Sequence, residues 1–243
     1  MNKKIIEFSA HKEYLKYKEE FPKPIKLNIP DWYKKLEHNL DHKTIKGCIP
    51  FLQTLVSGYQ LTLPQDFYLK HNSFTKDKIK TTLQPSFLVN KDFNLNIVRE
   101  AEQHHGKQVK DSPHLKKNGG LSIHKFLNPW RIKTPPGYSC LFVPPLNNTD
   151  ERFSIIPAVV DTDTFDLYIN FPFVVNTDKF PVLDTELKKG TPYVQIIPFK
   201  RNSWKMKIKA IDENKDFWQK GKYFLKNIHV YKNTLWNKDI KWD

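Results

Sequence analysis

The chain has 243 residues and a formal net charge of +14, from 40 Lys and Arg against 26 Asp and Glu. With 39% hydrophobic and 14% aromatic residues it can build a core, which excludes global disorder. No apolar run approaches the roughly 20 residues of a membrane span, and Cys48 and Cys140 are too few for a disulfide framework and suit a reducing compartment.

The basic start MNKKIIEFSAHK has too short an apolar stretch for a signal peptide, so the expected location is cytoplasmic or, for a viral protein, the virion. The charge is uneven: residues 1–133 carry +11, residues 134–202 carry −2 and residues 203–243 carry +5. Most cations are Lys, and Arg occurs only at positions 99, 131, 152 and 201. Lys reads base edges and planar phosphates less well than Arg, so solvated surface is preferred here to a dedicated polyanion site.

In chain order, the first thirty residues close on Phe21-Pro22-Lys23-Pro24 and Ile29-Pro30, which favours an extended arm or linker. Asp31 before Trp32-Tyr33-Lys34-Lys35-Leu36 predicts an N-cap and a short amphipathic helix. The apolar stretch Thr44–Val56 is expected to be buried, and Tyr59-Gln60-Leu61-Thr62-Leu63 alternates as a strand, with Asp66–Leu69 as its continuation or hairpin partner. Residues 72–120 have no sustained period and are expected to be loop-rich. From Leu121 short strands are expected at Tyr138–Val143, Ile155–Val160, Phe165–Phe171, Tyr193–Phe199 and Trp204–Ile211. Asp212 followed by Phe217, Phe224, Ile228, Tyr231 and Leu235 has helical spacing.

The expected fold is therefore mainly β, an antiparallel jelly-roll-like barrel or sandwich, with a helical N-terminal portion and a C-terminal helix. The expected division is an N-terminal arm with short helices and a loop-rich region over 1–120, a β core over 121–211, and a C-terminal helix and tail over 212–243.

The stretch Thr134–Arg201 contains Pro135-Pro136-Gly137, Phe142-Val143-Pro144-Pro145-Leu146-Asn147, Ala158-Val159-Val160-Asp161-Thr162-Asp163 and Lys189-Gly190-Thr191-Pro192-Tyr193-Val194-Gln195. In order and approximate spacing this resembles the β-clip superfamily of dUTPases and dCTP deaminases, which implies a β-clip architecture for the strand-rich core. In that superfamily a Pro-Gly turn, a phosphate-binding Arg-Ser loop, an Ile-Asp-x-Asp hairpin and a Gly-Asp-Arg-x-Ala-Gln strand follow one another. The resemblance matches Asp161 to the hairpin Asp, Gly190 to the turn glycine and Gln195 to the strand glutamine. It departs at Pro145-Leu146, where the Arg-Ser pair is expected, and at Thr191-Pro192, where Asp-Arg is expected. The C-terminus also lacks a Gly-rich phenylalanine tail. Asn128–Tyr138 and Gly190–Trp204 are further similar to an uncharacterised protein family common in marine bacteriophages.

Chemically, Asp161 and Asp163 can aim carboxylates at a hydroxyl or a water, and Gln195 offers both a donor and an acceptor. The same residues also serve as ordinary turn and backbone partners. Asp163, Gly190, Gln195 and Arg131 are the expected ligand-binding residues, with Asp161 catalytic only if the protein is an enzyme. His104, His105, His114 and His124 have no standard metal spacing, and no metal site or cofactor is expected, Mg²⁺ entering only with nucleotide chemistry. Trp204, Trp218, Trp236 and Trp242 lie among lysines, a pattern of packing, partner contact or base stacking.

The resulting expectation is a phage-encoded binding or assembly protein without catalytic motifs, partnering itself or other subunits and no membrane. The alternatives are a dUTPase-like nucleotide pyrophosphatase using Asp161 and Mg²⁺, and a nucleic-acid-binding module using the basic flanks.

Overall fold

Alternating strand segments separated by Pro, Gly and Asn turns build antiparallel sheets, and a computed structural model places them. It describes residues 4–74, 81–85, 103–104, 106–121, 123–210, 220–223, 227, 229–237 and 240–243. The protein is mainly β, and by contact it divides into two compact units that are discontinuous in sequence: Met1–Lys23 with Gly58–Lys200, and Pro24–Ser57 with Arg201–Asp243. These units cut across the contiguous division expected from sequence, because strand pairing joins segments more than a hundred residues apart.

In the first unit β1 (Glu7–Ser9) pairs with β7 (Arg131–Lys133). A second sheet runs β9 (Phe153–Ile155), β11 (Phe171–Val175), β6 (Ile123–Phe126) and β5 (Gln103–His104). A third contains β10 (Ala158–Val160), β8 (Tyr138–Val143), β13 (Pro192–Lys200) and β2 (Tyr59–Thr62) in that order. The fourth places β3 (Phe67–Asn72) between β12 (Val182–Leu187) and β4 (Thr81–Pro85). Among the described residues every strand pair is antiparallel, and no sheet closes into a barrel.

The core lies where inward residues of the second and third sheets meet. Phe126 stacks on Phe173 at 4.2 Å between centroids, and Tyr193 approaches Phe126 at 5.3 Å and Phe171 at 5.5 Å. Phe142 contributes from β8, 5.5 Å from Phe171. Such rings bury large apolar areas and prefer offset or edge contacts. The N-terminal residues are packed rather than an extended arm: Tyr14 and Phe21 set their edges against buried Trp130 at 5.3 and 5.5 Å. Burial of three aromatic faces outweighs the extended preference of the nearby prolines.

The second unit holds α1 (Asp31–Lys35) and α2 (Ile49–Val56), with Ile25, Tyr33, Ile49, Leu55 and Val230 buried. Pro30, not Asp31, occupies the N-cap of α1. Gly58, where α2 hands over to β2, has φ +82, and a Cβ there would sit 2.1 Å from the Ile196 carbonyl oxygen.

Three expectations differ in detail. The strand foreseen at Phe165–Phe171 begins only at Phe171, and 161–168 form a turn and irregular chain. Ile155–Val160 splits into β9 and β10 around Pro157, which lacks the ladder donor. Residues 201–210 have no regular secondary structure, although Trp204–Ile211 alternates like a strand. Of the C-terminal helix, 220–223 and Tyr231–Leu235 are helical, while 211–219, 224–226, 228 and 238–239 lie outside the described residues. The region 72–120 contributes β4, β5, the 3₁₀ turn Gly106–Val109 and α3 (Pro113–Lys117), the last capped by Ser112, whose Oγ accepts the Leu115 amide.

Candidate assembly surface

Asp161 and Asp163 follow β10 and meet the Pro135-Pro136-Gly137 turn across the sheet edge. The Gly137 amide donates to Asp163 Oδ2 at 2.8 Å, and Ser139 Oγ donates to Asp161 Oδ1 at 2.6 Å. Between them Thr162 is fully buried, its hydroxyl 2.7 Å from Thr134 Oγ1 and 3.4 Å from Cys140 Sγ. Burial pushes the Cys140 thiol up to about 11, so it stays a neutral packing group. The Asp161 carbonyl accepts the Thr164 and Phe165 amides at 3.0 and 2.8 Å. Both carboxylates thus engage the chain's own turn, as the local hydrogen-bonding chemistry of Asp favours.

Arg131 reaches the same loop. Its Nη2 donates to the Asp166 carbonyl at 2.7 Å and pairs with the Asp166 carboxylate at 2.6 Å, while Arg131 and Tyr168 form an isolated bridge. Asp161, Asp163 and Arg131 therefore share one loop cluster. Gln195 lies at the other end of β8: it pairs with Val143, whereas Ser139, the partner of Asp161, pairs with Phe199. Four residues of strand separate those positions, about 13 Å. Gln195 is fully buried, and its Oε1 accepts the Leu146 amide at 2.9 Å. Gly190, at φ +84, makes the turn into β13, donating to the Leu63 carbonyl at 2.8 Å while Leu63 donates to the Thr191 carbonyl at 2.9 Å. The five expected site residues divide among three places, Asp161, Asp163 and Arg131 in one loop cluster and Gln195 and Gly190 apart from it and from each other, in β13 and at the turn into it, and the contacts named here are internal to the fold.

No family model and no curated protein matches the chain.

The expected histidines also separate. His104 pairs with Ile123 on β5, His114 lies in α3, and His124 is buried on β6 beside Phe173, at 6.2 Å between ring centroids. His105 lies outside the described residues. Among the described residues no group of three or more His, Cys, Asp or Glu side chains is arranged to hold a metal ion. No described helix is long and apolar enough to cross a membrane.

Two surface features, one on each unit, stand out among the described residues. First, β10 is an edge strand: it pairs with β8 on one side, and among the described residues no strand pairs with its other side. Its Val159 is 60% exposed, and the following loop exposes Phe165, Leu167 (65%) and Tyr168 beside Asp161 and Asp166. The edge contains neither Lys nor Pro within Ala158–Val160, two devices that usually blunt such edges.

Second, the segment Ser203–Ala210 reads S-W-K-M-K-I-K-A, with Trp204 90%, Met206 83% and Ile208 83% exposed. Apolar residues at every second position, alternating with Lys205, Lys207 and Lys209, are the pattern of a half-buried strand. The alternation was visible in the sequence, but its exposure was not.

Proposed function

We propose that this is a β-rich assembly protein that self-associates by strand addition. The segment Ser203–Ala210 of one copy pairs with the outer edge of β10 in a second copy. The observation that carries this reading is the near-complete exposure of Trp204, Met206 and Ile208 in a segment with strand alternation. An extended segment that meets a sheet edge gains main-chain hydrogen bonds, and its alternate side chains gain apolar contact. The apolar face of the segment finds Val159, Phe165, Leu167 and Tyr168 as counterparts.

Charge supports this pairing over a symmetric one. Antiparallel pairing of two 203–210 segments would bring Lys205, Lys207 and Lys209 of both copies onto a shared ribbon, where like charges destabilise. The loop after β10 instead carries Asp161, Asp163 and Asp166.

Multi-angle light scattering on a size-exclusion column at micromolar concentration tests the proposal. The native chain is expected to run above monomer mass. Replacement of Trp204, Met206 and Ile208 by Ser should give a monomer with an unchanged far-UV spectrum. Burying one large apolar side chain contributes about 1.5–3 kcal/mol, so losing even two weakens association by roughly a hundredfold or more. A native protein that is strictly monomeric, or a triple variant of native mass, overturns the proposal.

A further inference from the structure

The second unit carries an open cleft of about 550 Å³ between α1, the loop that follows it, α2 and the helical turn at Tyr231–Leu235. Three lysines line it, Lys35, Lys46 and Lys232, together with His38 and His229. Glu37 is the single acidic residue on its wall, and among the described residues it makes no ion pair with any of the three lysines. Leu36, Ile49 and Leu52 supply an apolar part.

The polar groups are held in place. Lys46 Nζ donates to the Lys34 carbonyl at 2.7 Å, which anchors the ammonium and leaves two of its three donors for an incoming acceptor. The Thr44 amide donates to His38 Nδ1 at 3.0 Å, so the neutral ring carries its proton on Nε2. Gly47 makes room for that ring: a Cβ there would fall 2.2 Å from His38 Cε1 and Nε2. The second imidazole, of His229, lies 5.3 Å from the first between centroids. Its backbone has φ +63, in the left-handed region that residues other than Gly occupy at some cost.

We propose that this cleft binds a small phosphomonoester with an apolar or aromatic body. Three ammonium groups against one carboxylate leave two uncompensated positive charges, which match a phosphomonoester of about −1.5 to −2 at neutral pH. The imidazole N–H groups and the spare Lys46 donors answer its oxygens. Leu36, Ile49 and Leu52 cover its organic part. The volume of the cleft is in the range of small-molecule sites, and the mixture of a cationic wall with an apolar one separates this ligand class from a simple anion. The inference is independent of strand addition, which uses other residues.

Isothermal titration calorimetry on the whole chain with phenyl phosphate, inorganic phosphate and phenol tests it. Phenyl phosphate is expected to bind at least tenfold more tightly than either of its halves. Lys46→Met and His229→Asn should each weaken it at least tenfold, with Asn chosen because it tolerates the left-handed backbone. Should Lys46→Met fail to fold, Lys232→Met, at an exposed side chain, reads the same charge. Unchanged urea midpoints in the two folded variants confine the effect to the cleft. Absence of binding up to about 10 mM, equal binding of phenol or of inorganic phosphate, or variants that bind like the native chain each overturn the proposal.

Discussion

His71 sits on β3, fully buried, with Nε2 3.0 Å from Thr177 Oγ1. Burial, and secondarily the neighbouring His124, depresses its pKa from 6.5 to about 4. The folded protein therefore holds a neutral imidazole at a pH where the unfolded chain is already protonated. Between about pH 6.5 and about pH 4 the unfolded state binds the extra proton, so stability falls as pH falls through that window. The difference between 6.5 and about 4 corresponds to about 3 kcal/mol, most of it expressed between pH 7 and pH 4.5. The perturbation is His71→Gln, which keeps a polar group near Thr177 but cannot titrate. Urea unfolding of both proteins at pH 7 and at pH 4.5 gives four free energies. The native protein should lose about 2 kcal/mol more than the variant on acidification, the rest of the loss being shared by the carboxylates common to both. Equal losses would refute the assignment of a buried neutral imidazole at this position.

Two further outcomes follow from the backbone and the turn. Gly58→Ala should lower stability by more than the ~1 kcal/mol typical of Ala in the left-handed region, because the new Cβ meets the Ile196 carbonyl oxygen at 2.1 Å; a urea midpoint within error of the native one would refute this. Asp163→Ala removes the acceptor of the Gly137 amide and should cost about 1–2 kcal/mol, measured by urea unfolding; an unchanged urea midpoint would refute this.

Some elements were legible from residue pattern alone. Tyr138–Val143 and the Tyr193–Phe199 run were expected as strands and lie in β8 and β13, because short, mainly apolar runs bounded by Pro and Gly suit strands covered on both faces, and Ser139, Cys140 and Phe142, and then Tyr193 through Ile196, are inside. The Asp161-Thr162-Asp163 turn was legible in the same way, since Asp and Thr supply local hydrogen-bond partners wherever a strand must reverse. The strand expected at Phe165–Phe171 was not: its apolar residues match the pattern, yet the 161–168 stretch is held instead by Arg131 and the Asp161 carbonyl.

By itself, then, the sequence determined the β class, the turn chemistry and the uneven charge, all of which depend on neighbours within a few residues. Only the tertiary structure decided which residues meet. It joined 24–57 to 201–243 in one unit, set Gln195 and Asp161 at opposite ends of one strand, and left Trp204, Met206 and Ile208 in solvent. It also gathered His38, Lys46, His229 and Lys232 around one cleft from segments nearly two hundred residues apart. The physical reason is that periodicity records which side of an element is apolar, whereas the partner that covers that side is chosen by packing between distant segments, which no local pattern encodes.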